Sequence, residues 1–386
     1  MMKAQKYIIA GGGIGGLTTV IALQQQGFEA HVYEAAQEIK AVGAGILLAP
    51  NAIEIFHRLG LKEEILRGGY PIKQGIVSDV QGRTLQVFTP SELSGNHHPT
   101  VPIQRSVLQT TLVSRLKAGT LHMGKVFATI NDVQNQVAVR FEDGSEAEGT
   151  VLIGADGIRS RVRTSLFGEV QYRYSGQTCW RGLTEYHLPE REKMYEMWGT
   201  KSGVRVGYAP VSEEKVYFFA TACKEAGGID TKGSIHATLR ELYDEFPPQV
   251  QQMLASTPEE NILRNDIWDF APIPSWHKGN TVLLGDAAHA TTPNLGQGGC
   301  QAIEDDYALA KTIAEQTRNS TSNEEAFKHY EALRMKKAHF VVETSHRAGN
   351  ITNWGGIAAR VRNAALALAP KNLGRKQMEY LFEVTY

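Results

Sequence analysis

KYIIAGGGIGGLTTVIALQQQGFEAHVYEA, residues 6–35, decides the fold. An apolar run leads into a glycine cluster. A helical stretch follows with Leu17, Val20, Ile21 and Leu23 on one apolar side, then Gly27 at its end, then the strand-like HVYE. This is a βαβ opening. Gly11, Gly13 and Gly16 satisfy GxGxxG at the strand-to-helix junction, the context in which that pattern carries meaning. Glycines there permit a tight turn, close approach of backbone to a pyrophosphate, and close contact of helix with strand. The helix start at Ile14 and Gly15 then faces the negative charge. Glu34, at the end of the second strand, is the acid expected about 20 residues on. Its carboxylate accepts from ribose hydroxyls and repels a 2′-phosphate. The stretch reads as a dinucleotide site.

Working outward, 386 residues are too many for one small core and suggest two domains. Forty basic against 41 acidic residues give a net charge of −1, so no basic surplus drives binding to nucleic acid. Cys179, Cys223 and Cys300 lie too far apart for a CxxC or a metal-ligand spacing. The first residues pass almost directly into the strand, leaving no room for a leader, and a cytoplasmic location without stable membrane association is the expectation. WGGIAARVRNAALALAP, residues 354–370, is the most membrane-like segment. It reads as an amphipathic helix packed on its own domain.

VPIQRSVLQTTLVSRL (101–116) restores a helical period, and KVFATINDVQNQVAVRFEDG and TVLIGADG alternate as strands. Residues 172–270 are rich in short strands and suggest an antiparallel sheet, with LRELYDEFPPQVQQML as a helix within it. The fold expected is α/β: a discontinuous Rossmann-like domain (1–75, 101–171 and 272–386), an inserted antiparallel β-sheet domain (76–100 and 172–271), and C-terminal helices.

Two further segments end strands in an acid. VLIGADGIRSRVR (151–163) places Asp156 before a basic helix, and VLLGDAAHATTPNLGQGG (282–299) places Asp286 before a glycine turn. Asp286 and His289 are open to three readings: a catalytic pair, two metal ligands, or the wall of a cofactor site. An NAD-only enzyme has no need of the second acidic turn, whereas a flavin's ribityl chain needs an acceptor and its ring needs donors.

GxGxxG with Glu34, GADGIRSRVR (154–163) and GDAAHATTPNLGQG (285–298) together resemble the class A flavin-dependent monooxygenases. So do GAGI (43–46) and IQRSVL (103–108), and the resemblance spans nearly the whole chain. It implies FAD as cofactor. Glu34 and the loop Gly11, Gly13, Ile14, Gly15 and Gly16 would take the adenosine ribose and pyrophosphate. Arg105 and the main chain at Val126 would hold the adenylate side, with Gly45 and Asp156 nearby. Asp286 would hold the ribityl chain, and Pro293, Gly296, Gln297, Gly298 and Gly299 would face the ring. Ala35 stands where relatives often carry Arg. The implied reaction is reduction of FAD by NAD(P)H, bound transiently, then transfer of one oxygen atom of O2 through a flavin C4a-hydroperoxide. The substrate would be a small aromatic or heteroaromatic molecule, and the chain a monomer or homodimer. A reductase or oxidase without oxygen transfer, or a non-catalytic flavin sensor, are the alternatives.

GVRVGYAPVSEEKVYFFA resembles the urate hydroxylases of this family, in which an Arg and a Tyr on neighbouring strands touch substrate. That implies Arg205 and Tyr217 as catalytic residues. If SEE (212–214) is a three-residue loop, Ala209 lies opposite Tyr217 and Arg205 shares its face. Asn294 and Trp198 complete the substrate side, although urate hydroxylases carry Asp where Asn294 stands. PNLGQGGCQAIED and ILRNDIWD resemble the salicylate hydroxylases and zeaxanthin epoxidases instead. Plainer readings stand beside these. His289 reads as a turn-stabilising residue, and Glu304, Asp305 and Asp306 as the solvated side of a helix. Arg159, Arg161 and Arg163 read as surface charge or an NAD(P)H contact, and His97 and His98 as an exposed loop.

Overall fold

Lys6–Ala10 pairs in parallel with Glu29–Glu34 on one side and with Val151–Gly154 on the other, and Val151–Gly154 pairs in parallel with Thr281–Leu283. These strands form the centre of a six-stranded sheet in the order 277–278, 281–283, 151–154, 6–10, 29–34, 121–123. Every residue of Val151–Gly154 and Thr281–Leu283 is buried, as expected for parallel strands covered on both faces. Because the strands run the same way, Gly11, Asp156 and Asp286 emerge from the carboxyl ends of three neighbours. Topology thus assembles three segments far apart in sequence. This computed structural model describes residues 5–39, 44–133, 136–231, 233–320, 322–370 and 374–386. Gly43 of the GAGI segment lies outside them.

A seven-stranded sheet has the order 263–270, 172–185, 215–223, 205–210, 193–198, 74–79, 84–88. One pairing departs from the antiparallel expectation: Lys193–Trp198 runs parallel to Gln74–Asp79. More than a hundred residues of intervening chain separate those two strands, so no hairpin constrains their direction. The two sheets carry separate apolar cores, one around Ile8, Leu17 and Ile153, the other around Trp180, Phe218 and Tyr243. No helix among the described residues is long and apolar enough to cross a membrane.

Local readings fail where tertiary packing overrides periodicity. The segment 101–116 begins as a strand, Val101–Gln104, and turns helical only at Arg105–Val113. The helix expected within LRELYDEFPPQVQQML is two, Ile235–Leu242 and Pro248–Ser256. Pro247 and Pro248 lack the N–H groups to continue it. His97 is exposed, but His98 is buried with Nε2 2.9 Å from Glu54 Oε2, so the pair is not an exposed loop.

The largest correction concerns Glu304, Asp305 and Asp306. They are fully buried in the helix Gly298–Arg318, not solvated. Arg334, from the helix Asn323–Thr352, donates to Glu304 Oε2 at 2.6 Å and to Asp305 Oδ1 at 2.8 Å. Lys337 Nζ lies 2.9 Å from Glu304 Oε1, and Asn51 Nδ2 donates to the same oxygen at 2.6 Å. Burial opposes both carboxylates, but the facing positive charges outweigh it and hold Glu304 and Asp305 below their usual pKa. Asp306 forms no ion pair among the described residues. Its Oδ1 accepts from Thr19 at 2.7 Å and burial raises its pKa.

Breaking a buried pair strands an uncompensated charge, a cost of about 3–5 kcal/mol. Arg334→Met therefore lowers the unfolding free energy in urea by that amount; a loss below ~1 kcal/mol would contradict this account of the network.

Candidate active site

The glycines of residues 11–16 divide into two kinds. Gly11 adopts φ +109°, and a Cβ on it would sit 2.4 Å from Ala155 O; a Cβ on Gly16 would sit 1.9 Å from Gly11 O. These two let the loop close on itself. A Cβ on Gly13 would meet nothing within 4 Å, so this position borders open space. The helix Ile14–Gln25 has no side-chain N-cap, and its first N–H groups face the same opening. Its first ten residues are buried on nearly all sides, not on a single apolar face. Glu34 borders the loop, accepting from Gly12 N at 2.6 Å and from Ala36 N at 2.8 Å.

At the other end of the opening, Asp286 begins the short helix Asp286–His289. Its carboxylate is exposed to the cleft although protein encloses it on other sides. Burial raises its pKa, against the nearby charges of His289 and Arg105. Arg105 holds its place through its backbone, donating to Ala44 O at 2.9 Å. Gly296 takes φ +63°, with nothing within 4 Å of a Cβ there, just before the uncapped start of the helix Gly298–Arg318. A Cβ on Gly299 would meet Ile46 Cδ1 at 2.8 Å. Two uncapped helix starts, an acid at each end and glycines beside open space suit an elongated dinucleotide with a polar chain and a ring. The residues fit FAD.

Several expected contacts take a different form. The Gln297 side chain turns inward, its Oε1 accepting from Asn51 at 3.0 Å and Gln301 at 3.1 Å, so only its backbone can serve a ring. Asp156 Oδ2 accepts the N–H groups of Arg161 (2.8 Å) and Val162 (3.1 Å) at the start of the helix Arg161–Phe167. The Val126 carbonyl is taken by Glu142 N at 2.9 Å. Arg163 is neither surface charge nor a coenzyme contact: it is fully buried and donates to Ala287 O, Ile158 O and the Tyr172 hydroxyl. The His289 ring bonds to Asp305 and not to Asp286, with Nε2 2.5 Å from Asp305 Oδ2. It stabilises the turn, and no catalytic pair exists there.

A cleft of about 720 Å³ separates Asp286 and Pro293 from the seven-stranded sheet, where Arg181 and Arg264 line it. Ala209 pairs with Tyr217 and Arg205 with Thr221, so Arg205 and Tyr217 share a sheet face. Arg205 Nη1 donates to Glu196 Oε1 at 2.9 Å, and Nη2 donates to Asn294 Oδ1. Asn294 is itself held by Thr292 Oγ1 (3.0 Å) and Ser345 O (3.1 Å). Trp198 Nε1 donates to the same Glu196 oxygen at 2.8 Å. Glu196 thus joins two of the expected residues, Arg205 and Trp198, and sequence reasoning missed it. Its position two residues before Trp198 on one strand was the available signal. Tyr217 lies against Gly45, where a Cβ would come within 2.4 Å of its ring. Burial raises the Tyr217 phenol well above its usual pKa, against the opposing charge of Arg181, a second lining residue not foreseen.

Residues 5–345 match the family profile described as FAD binding domain. The chain belongs to that family, among the class A FAD-dependent monooxygenases. It is 37% identical to the aurachin C monooxygenase/isomerase of Stigmatella aurantiaca, over 92% of this chain and 91% of that one. It is 30% identical to the 2-heptyl-3-hydroxy-4(1H)-quinolone synthase of Pseudomonas aeruginosa, over 97% of each. Its structure superposes on Klebsiella pneumoniae HpxO complexed with FAD and uric acid with a TM-score of 0.90, at 29% identity, covering 99% of this chain and 97% of that one.

Asp286→Ala removes an acceptor without disturbing the core. FAD per chain, read from flavin absorbance after gel filtration, falls about tenfold or more while the far-UV spectrum is unchanged. Full occupancy in that variant would overturn the assignment of Asp286 to the cofactor.

Proposed function

We propose that the chain uses NAD(P)H and O2 to place one oxygen atom on a neutral, apolar heteroaromatic substrate of the alkylquinolone kind. The unit built from 1–75, 101–171 and 272–386 holds FAD, and the sheet of 76–100 and 172–271 holds substrate. The observation that carries this reading is the state of Arg205. It is 4% exposed, its charge is balanced by Glu196, and an amide, Asn294, stands on its other side. A guanidinium whose charge is already compensated gains little from an anionic ring, yet it still donates hydrogen bonds. Its Nε–H is buried without a hydrogen-bond partner among the described residues, so a shift of this side chain would leave a donor to be satisfied. Phe219, with Arg205 Cζ 5.7 Å from its ring centre, supplies apolar wall. The quinolone-type relative supports the same substrate class.

FAD, when bound, supplies electron transfer and the activation of O2; the residues supply orientation and shielding. Asp286 and the backbone around Gly296–Gly299 would fix the cofactor's ring end against Pro293. Arg205 and Asn294 would orient the substrate through its polar edge, Trp198 and Phe219 would pack its rings, and together they exclude water from the reacting atoms. Tyr217 stays a neutral phenol near neutral pH because burial raises its pKa, so it acts as a hydrogen-bonding group and not as a base.

The test is NAD(P)H consumption with 2-heptyl-4(1H)-quinolone, urate and salicylate, with isotopically labelled O2. The quinolone stimulates consumption at least about tenfold more than either anion, and label enters its product. Equal stimulation by urate overturns the substrate reading, and peroxide without labelled product overturns oxygen transfer. Glu196→Gln frees the charge of Arg205, so the ratio of kcat/KM for salicylate to that for the quinolone rises by about tenfold. An unchanged ratio contradicts the charge-balance argument.

A further inference from the structure

The helix Gly356–Leu368 carries its polarity the wrong way round for a helix packed on its own domain. Its inward face holds Ala359, Arg362 and Asn363, at 0%, 5% and 4% exposure. Ile357, Val361 and Leu368 point outward at 79%, 60% and 87%. At 3.6 residues per turn these three fall within about 40° of one another, a continuous apolar stripe. Ile351 and Trp354, each nearly half exposed, extend it beyond the helix start. Of the eight large apolar residues exposed on the described surface, five come from this one region, so this is a patch and not scatter. The helix packs on its own domain as expected, but it turns its aliphatic side outward instead of inward. Arg362 explains how the reversed packing is tolerated: its guanidinium is spent on the carbonyls of Ile351, Thr352, Trp354 and Gly199.

The surrounding charge is one-sided. Residues 344–378 contain six Lys and Arg, of which only Arg362 is buried among the described residues, and no Asp or Glu, in a chain whose net charge is −1. Arg347 and Arg360 are exposed within that stretch, Arg360 on the flank of the stripe. An outward apolar stripe with basic flanks and a tryptophan at its edge matches a helix lying in the interface of an anionic bilayer. A second copy fits less well, because a twofold axis through the stripe would bring the same basic flanks together. The helix also meets the end of the strand Lys193–Trp198, since Arg362 Cζ lies 4.8 Å from the Trp198 ring centre and its guanidinium donates to Gly199 O.

We propose that the outward face of Gly356–Leu368 docks reversibly on an anionic lipid surface, from which an apolar substrate reaches the pocket beside Trp198. This is peripheral contact, compatible with the absence of a crossing helix among the described residues. The substrate clause rests on the function proposed above; the docking does not.

The test is sedimentation of the FAD-loaded full chain, without substrate, with vesicles of phosphatidylcholine and phosphatidylglycerol in equal parts, and with phosphatidylcholine alone. The chain partitions to the mixed vesicles and is released by high salt, and the Ile357→Glu, Val361→Glu, Leu368→Glu triple variant partitions at least about tenfold less. Arg360→Glu, which leaves the stripe intact, weakens binding to the mixed vesicles and not to the neutral ones. FAD content and turnover of a water-soluble substrate stay unchanged in all variants, which separates lost docking from lost folding. Failure of the chain to sediment, or equal sedimentation of the triple variant, overturns the proposal. A dimer in solution that the triple variant dissociates assigns the stripe to a second copy and overturns it also. Because docking is read without substrate, failure of the quinolone reading leaves this result standing, and the converse holds.

Discussion

Arg334 is the charge on which the site depends. It reaches across from the helix Asn323–Thr352 and binds Glu304 and Asp305 on the helix Gly298–Arg318. Asp305 in turn holds His289 and the backbone of Gly285, and Glu304 holds Asn51, which holds Gln297. One buried guanidinium therefore fixes both ends of the turn that carries Asp286 and the glycines after it. An apolar core of the same volume could match its stability. It would lack directional bonds at both ends of the turn, and the turn must hold its shape to leave room for a flavin ring.

The same logic runs through the substrate side. Glu196 gathers Arg205 and Trp198 on one sheet face, and Asn294 meets Arg205 from the flavin-side turn. Arg205 and Asn294 thus join the seven-stranded sheet to the turn that follows Asp286. Asn294, held by Thr292 and Ser345, has no freedom to swing away. Where an acid would add a second negative charge beside Arg205, the amide leaves the Glu196 carboxylate as its only bonded counter-charge among the described residues.

The legible parts of the sequence were those in which a short pattern has one physical use. GxGxxG between a strand and a helix, Glu34 at the next strand end and Asp286 before a glycine turn pointed to the cofactor, and the period-two count over SEE placed Arg205 and Tyr217 on one face. The illegible parts were polar residues whose partners lie far away in the chain. Glu304, Asp305 and Asp306 look like a solvated face until Arg334, some thirty residues later, is seen beside them. Arg163 and His98 mislead for the same reason. Glu196 stayed invisible because a glutamate on a strand has many uses until its neighbours are known.

The sequence by itself determined the family, the cofactor and the shared face on which Arg205 and Tyr217 stand, because glycine sterics, helix N-termini and strand period act over a few residues. Only the tertiary structure decided which charges are buried, what neutralises Arg205, and that the helix Gly356–Leu368 turns its aliphatic side outward. A hydrophobic pattern marks two faces of a helix but does not say which one the rest of the chain will cover. That choice is made by Arg362 finding four carbonyl acceptors inside, an arrangement that exists only once the strands and helices have met.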